Sequence, residues 1–239
     1  LVVMGLINNA IPFMLVAWGE ERIDSAIAAI LHSMVPLFTM LIAHFTLADD
    51  RIDTMKVSGL TLGFFGVVVI LMQDLGEANF LTNIIRQGAV LLASLFYAMG
   101  SVFARHNARN IKPIYQAFFP LIVADLFSWS LALSIETPIY LPQDGLTWIS
   151  VLYLGFIASG VGYLLFYYLI QSIGPTKTTL VTYIFPVIGV VLGVIFLDER
   201  LVWNTIVGGL MVILGIVVVN WRSAPVVESG EIESFMVER

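Results

Sequence analysis

Apolar runs of about twenty residues, each ended by a short polar loop, recur along the whole chain. Eight are counted, at about 3–19, 25–47, 57–73, 84–104, 113–134, 146–170, 178–197 and 203–221. At a rise of about 1.5 Å per residue, a helix of such length crosses a hydrocarbon core of roughly 30 Å. The pattern predicts an all-α, polytopic membrane helix bundle with eight transmembrane helices.

The pattern also repeats. The runs 25–47 and 178–197 carry no Asp, Glu, Lys or Arg, and they centre on Pro36 and Pro186, which lie 150 positions apart. At that offset Gly5 falls on Gly155, Phe13 on Tyr163, Ile23 on Ile173 and Leu47 on Leu197. With the offset one shorter, Asp49-Asp50-Arg51 falls on Asp198-Glu199-Arg200, and Gly66 on Gly215. The first three spans are therefore duplicated as the sixth to eighth. A period of five is odd, so the two copies run in opposite senses through the membrane, the inverted 5+5 architecture of secondary transporters. Two full units need ten helices. The expected organisation is residues 1–75 as three helices of a first unit whose two N-terminal helices are missing, 84–221 as a complete second unit, and 222–239 as a disordered tail.

Composition sharpens this picture. The chain is 59% hydrophobic and 12% charged, against about a quarter charged in soluble domains. The absence of cysteine excludes disulfides and thiolate metal sites. Net charge does not set orientation; Lys and Arg in short loops do. One side of the membrane receives Arg51, Lys56, Arg105, Arg109, Lys112, Lys177, Arg222 and Arg239, the other Arg22, Arg86 and Arg200. Eight against three makes the first side, with the C-terminus, cytoplasmic, as in a protein of the bacterial inner membrane.

No span carries the spacing of a nucleophile triad, a phosphate loop or a histidine metal pair, so no catalytic residue, metal or cofactor is expected and the chain is not read as an enzyme. Chemistry is sought instead in polar groups at membrane depth, which are costly unless paired or facing water. Pro36 frees the carbonyl of His32 and Pro186 that of Thr182, because proline has no N–H to donate. Freed carbonyls line a polar cavity or mark a packing kink, and both readings stand at this point. His32, one turn before Pro36, titrates near neutral pH and is a candidate for proton coupling, as is Asp125, near the middle of the fifth span. The alternative for each is a hydrogen-bonded packing residue. Asn8 and Asn9, one turn before Pro12, open the first span in the same manner as His32 opens its proline turn. Tyr97 and Tyr163 lie deep enough to line a pocket for an aromatic or amphipathic solute. The expected cavity set is Asn9, His32, Pro36, Tyr97, Tyr163, Thr182 and Pro186. The acidic–Arg pairs of LADDRI at 47–52 and LDERL at 197–201 are read as structural loop contacts.

The stretch IPFMLVAWGEERIDSAIAAILHSMVPLFTMLIAHFTLADDRI and its echo GYLLFYYLIQSIGPTKTTLVTYIFPVIGVVLGVIFLDERL, each followed by a glycine-bearing last helix, resemble the EamA family of the drug/metabolite transporter superfamily. The resemblance covers nearly the whole chain. It implies a ten-helix inverted-repeat carrier with a central cavity and both termini cytoplasmic, exporting amino acids or similar small metabolites by alternating access. The chain departs from the family in lacking the first two helices and in having LADDRI where a Gly-Glu pair is usual. The partners implied are a small-molecule substrate and the lipid bilayer, without nucleic acid, and a homodimer is open to it. The competing readings are a lipid or nucleotide-sugar carrier and an inactive truncated membrane protein.

Overall fold

The computed structural model describes residues 1–47, 54–72, 80–135, 143–199 and 201–220. The acidic loop at 48–53, Arg200 and the tail expected to be disordered lie outside them. The regular structure of the described residues is helical throughout, in eight successive rods. These are α1 (Val2–Glu20), α2 (Ser25–Thr46), α3 (Thr54–Leu71), α4 (Phe80–Asn107), α5 (Pro113–Ile135), α6 (Gly145–Ile173), α7 (175–196) and α8 (Trp203–Asn220). Five of them, α1, α2, α4, α5 and α6, are long and apolar enough to cross a membrane, while α3 and α8 carry the shorter apolar stretches Val57–Leu71 and Trp203–Val219. Ile122, Leu126 and Leu133 of α5 and Ile149, Leu152 and Phe156 of α6 are exposed, an apolar rim suited to lipid. Arg86 of the fourth rod is held on α1 and the residue after it. Its guanidinium donates to Glu21 Oε2 at 2.8 Å and to the Trp18 carbonyl, and lies 3.9 Å over the Trp18 ring.

Three of the irregular stretches fall beside prolines. Before Pro12, α1 widens into a π-helical turn at Leu6–Ala10. Just before Pro36, α2 breaks between Ser25–His32 and Val35–Thr46. In α7 the 3-10 turn Leu180–Tyr183 precedes Ile184–Phe196, which holds Pro186. Each of these three sits within about one turn of a residue that cannot donate back along the helix, whereas the π-helical stretch Tyr153–Val161 of α6 has no proline and Pro120 lies within the continuous α5. Hydroxyls take up backbone at the break of α2: Ser33 Oγ donates to the Ile30 carbonyl at 2.6 Å, and Ser94 Oγ of α4 to the Leu31 carbonyl at 3.3 Å. Helix α2 is the centre of the bundle, where Leu31, Leu37 and Met40 pack with Ile70, Val90, Val212 and Ile216.

The helices of the duplication pack against their own copies. A Cβ placed on Gly66 of α3 would lie 2.6 Å from the Gly208 carbonyl of α8, and one on Gly208 would lie 2.6 Å from the Gly66 carbonyl. Gly59 and Gly215 form the second such pair. Only glycine permits this approach of two backbones. Gly59 aligns with Gly208 in the duplication and Gly66 with Gly215, so each glycine meets the copy of the other. The same crossing joins α2 to α7: Ala29 abuts Gly189, and Val35–Thr46 packs on Pro175–Thr179. Met4 and Tyr167 share a small core between α1 and α6. Glu199, in the loop after α7, accepts hydrogen bonds from the Ser25 and Ala26 N–H groups at 2.7 and 3.1 Å. The carboxylate thus caps α2, a tie between the two copies where the sequence pattern points to an acidic–Arg loop pair.

Candidate functional site

Six rings from five helices meet in the middle of the bundle. Phe185 of α7 stacks on His32 of α2 at 5.3 Å between centroids, and His32 meets Tyr97 of α4 edge-on at 5.0 Å. Tyr97 continues to Phe13 of α1 at 6.3 Å, Phe13 to Tyr163 of α6 at 6.4 Å, and Tyr163 to Tyr167 at 6.1 Å. Phe13 and Tyr163 are equivalent positions of the sequence duplication, so here a residue touches its own copy. His32 and Thr182 are another equivalent pair, and both line the inner of the two cavities that flank this septum.

The outer cavity, about 610 Å³, opens at the end of the bundle where α1 stops and α2 begins. Phe13, Glu20, Ser25, His32, Tyr97 and Phe185 are among its walls. The inner cavity, about 240 Å³, lies beyond the rings and is lined by Asn8, Ser101, Tyr163, Thr179 and Thr182, among others. His32, Tyr97 and Phe185 belong to both. Nothing charged enters the inner wall, and neither wall has a Lys or Arg among the described residues.

The far end of the inner cavity is shut. The Asn8 amide donates to the Tyr167 hydroxyl at 2.7 Å, and the Tyr163 hydroxyl reaches the Asn8 carbonyl at 3.4 Å. That carbonyl is the one Pro12 leaves without an intrahelical donor, so the proline creates the acceptor that α6 uses. Below it Met4, Tyr167 and Ile170 are fully buried, and Arg105 of α4 donates to the carbonyls of Ile170 and Gln171. The open end differs at the equivalent positions. Ala17 and Ala158, the copies of Tyr167 and Asn8, are both exposed, and Ala17 lines the outer cavity. Neither side chain has a group that could form a matching hydrogen bond.

The donors of the inner wall are largely committed. Ser101 Oγ donates to the Tyr97 carbonyl at 2.7 Å, Thr182 Oγ1 to the Thr179 carbonyl at 2.9 Å and Thr179 Oγ1 to the Thr176 carbonyl at 3.1 Å. Their lone pairs remain, and Asn8 Oδ1 is buried without a hydrogen-bond partner among the described residues. The three hydroxyls thus offer acceptors to the inner wall, which also holds the donor-capable His32 ring and Tyr97 hydroxyl.

Of the residues singled out in the sequence, His32, Tyr97, Tyr163 and Thr182 come together here. Pro36 is buried behind the wall, and Pro186 faces a separate apolar cavity of about 350 Å³ with Ile30, Val190 and Gly209. The prolines shape the site one turn away from it. Asn8 stands in the wall rather than Asn9, which is wholly buried and lines neither cavity. Asp125 is exposed on α5 between Ile122 and Trp129 and lines neither cavity. The sequence pattern does not single out Phe13, Glu20 or Phe185 as wall residues. The alignment of Phe13 with Tyr163 is the available signal; Glu20 reads as loop and Phe185 as one more apolar residue. No group of three or more His, Asp or Glu positioned for a metal occurs among the described residues.

Comparison with known proteins adds three findings. The model of the EamA-like transporter family matches residues 1–72 and 87–221. Among similar proteins, the "Uncharacterized transporter YoaV" of Bacillus subtilis is 22% identical over 90% of this chain and 73% of its own. The "Probable amino-acid metabolite efflux pump" of Escherichia coli is 25% identical over 84% and 70%, and the "Probable terminal-alkyne amino-acid exporter" of Streptantibioticus cattleyicolor 23% identical over 88% and 69%. A crystal structure of a protein 20% identical in sequence shares the fold, with a TM-score of 0.65 over 91% of this chain and 76% of that one.

Proposed function

Because the chain belongs to the EamA-like transporter family, we propose that it is a secondary transporter exporting amino acids or similar small metabolites from bacteria by alternating access. Its eight helices belong to a ten-helix inverted repeat, α1–α3 within residues 1–75 and α4–α8 within 84–221, and 222–239 is a cytoplasmic tail in this reading. The observation that carries it is the asymmetry between equivalent positions. Asn8 and Tyr167 are buried and bonded at one end of the bundle, while their copies Ala158 and Ala17 stand exposed at the other. In a carrier whose halves exchange conformations about one axis, that is a state closed on the inside and open on the outside. The rings on the axis then form the substrate septum, with His32 the coupling residue favoured by its place in both cavity walls.

A lipid or nucleotide-sugar carrier is less well supported, since a phosphate calls for Lys or Arg and the described cavity walls have neither. The test is flux of a labelled amino-acid and metabolite panel in proteoliposomes, with and without a pH gradient, for wild type, His32→Gln and Asp125→Asn. Gradient-dependent flux lost in His32→Gln and kept in Asp125→Asn is expected. Absence of flux for the whole panel in both directions removes the transporter reading.

A further inference from the structure

The walls of the two cavities carry information about the charge of what they hold. Glu20 stands at the mouth of the outer cavity. Among the described residues, its carboxylate has no ion-pair or hydrogen-bond partner, and it feels the negative charge of Glu199 nearby. The neighbouring cation, Arg86, is already held by Glu21 and by the Trp18 carbonyl and ring, and Arg22 is exposed outside the lining. Deeper in, Phe13, Tyr97 and Phe185 present three rings to the same space. Ring faces attract a desolvated ammonium through their quadrupole. Beyond them lie the lone pairs of Ser101, Thr179 and Thr182, whose protons already point to backbone carbonyls.

An ammonium group has three donors and no acceptor, whereas a carboxylate needs donors or a cation. Acid at the mouth and ring faces at the septum favour the first; the donors available to a carboxylate are the His32 ring and the Tyr97 hydroxyl, with no Lys or Arg among the described wall residues. We infer that the substrate is a primary or methylated amine on an apolar, ring-sized body, with no free carboxylate: a decarboxylated or esterified amino-acid derivative rather than the zwitterion. This rests on the transporter reading and narrows it. The outer volume falls in the range that takes such molecules, about 300–1,000 Å³.

The experiment is binding of three probes to the full chain in nanodiscs by titration calorimetry: phenethylamine, L-phenylalanine and phenylacetate. Phenethylamine is expected to bind at least about tenfold more tightly than the other two. Glu20→Gln, at an exposed position where folding is not at stake, and Phe185→Leu are each expected to weaken it about tenfold or more. The inference is overturned if L-phenylalanine or phenylacetate binds as tightly as phenethylamine, or if Glu20→Gln leaves phenethylamine binding unchanged. Tighter L-phenylalanine binding that is lost in His32→Gln also overturns it, assigning His32 to a substrate carboxylate. Flux separates the two levels. Liposomes that move L-phenylalanine equally well with Glu20→Gln refute the amine preference and keep the transporter, whereas amine binding without flux of any solute keeps the preference and refutes the transporter.

Discussion

Tyr167→Phe tests whether one hydrogen bond holds the inner end of the bundle shut. The ring is fully buried and packs on Phe166 at 5.6 Å and Tyr163 at 6.1 Å, so the phenyl group retains its packing. What is lost is the acceptor for the Asn8 amide, 2.7 Å away. In the closed state that amide is then a buried donor without a partner; in the open state water takes it. Interhelical hydrogen bonds inside membranes contribute about 0.6–1.7 kcal/mol. The near-complete burial of both Asn8 and Tyr167 places this one toward the upper end, about 1.4 kcal/mol, which is about a tenfold shift of the closed–open equilibrium. The chain has no cysteine, so Thr179→Cys puts a single thiol in the inner wall. Labelling by an impermeant maleimide from the side of the α1 N-terminus is expected to run about tenfold faster when Tyr167→Phe is added. The control is Tyr168→Phe, one residue on and 60% exposed, which is expected to leave the rate unchanged. An unchanged rate in Tyr167→Phe, or equal acceleration by both variants, would show that this bond does not hold the closed end.

Further outcomes follow from local geometry. Gly66→Ala drives a methyl to 2.6 Å from the Gly208 carbonyl and 2.8 Å from the Val212 nitrogen; since backbone cannot rotate aside, a loss of about 1–3 kcal/mol in thermal unfolding is expected. Gly88→Ala, where no atom lies within 4 Å of the added carbon, is expected to be neutral or stabilising by up to about 1 kcal/mol. Glu199→Ala removes the charged acceptor of two N–H groups at the start of α2, costing about 1–2 kcal/mol and speeding amide exchange at Ser25 and Ala26 but not in α4. At the start of α6, hydrogen bonds from the Thr147 hydroxyl and N–H hold the Asp144 carboxyl below its ordinary range. A depressed value means the cap contributes fully above about pH 4 and is lost as pH falls through the lowered pKa, so the Thr147 amide resonance titrates in acid and ceases to do so in Asp144→Asn.

The parts of this molecule that could be read from sequence are those fixed by matching a residue to its own copy. Pro36 against Pro186 and Gly66 against Gly215 are alignments of one dimension, and they carry over directly to paired breaks and paired glycine contacts. Which way a helix faces is harder to read, because α1 is apolar nearly all round and offers no stripe that says which of Asn8 and Asn9 points inward. The π-helical turn at Leu6–Ala10 shifts the register by part of a turn at that very place. Asp125 falls outside the two cavities for a related reason. Depth along a span is legible from sequence, but azimuth is set by neighbours, and α5 meets the bundle through Ala117, Pro120 and Ala124, leaving the carboxylate beyond them on the exposed side.

The septum is the least legible feature, since its six rings come from five helices and no short segment contains more than a fragment of it. Yet its position follows from the duplication. A two-fold axis of the proposed inverted repeat would pass where a residue touches its own copy, and Phe13 touching Tyr163 is such a point. In the proposed alternating-access cycle, residues on that axis keep their mutual contact while the flanking pairs, Asn8 with Tyr167 and Ala158 with Ala17, close in turn. The two closures are chemically unlike: the first is a hydrogen bond between large side chains, whereas two alanines can close only by letting their helix backbones approach. In the proposed cycle the rings therefore stay together while access to them alternates, which would tie the duplication in the sequence to a site reached from one side at a time.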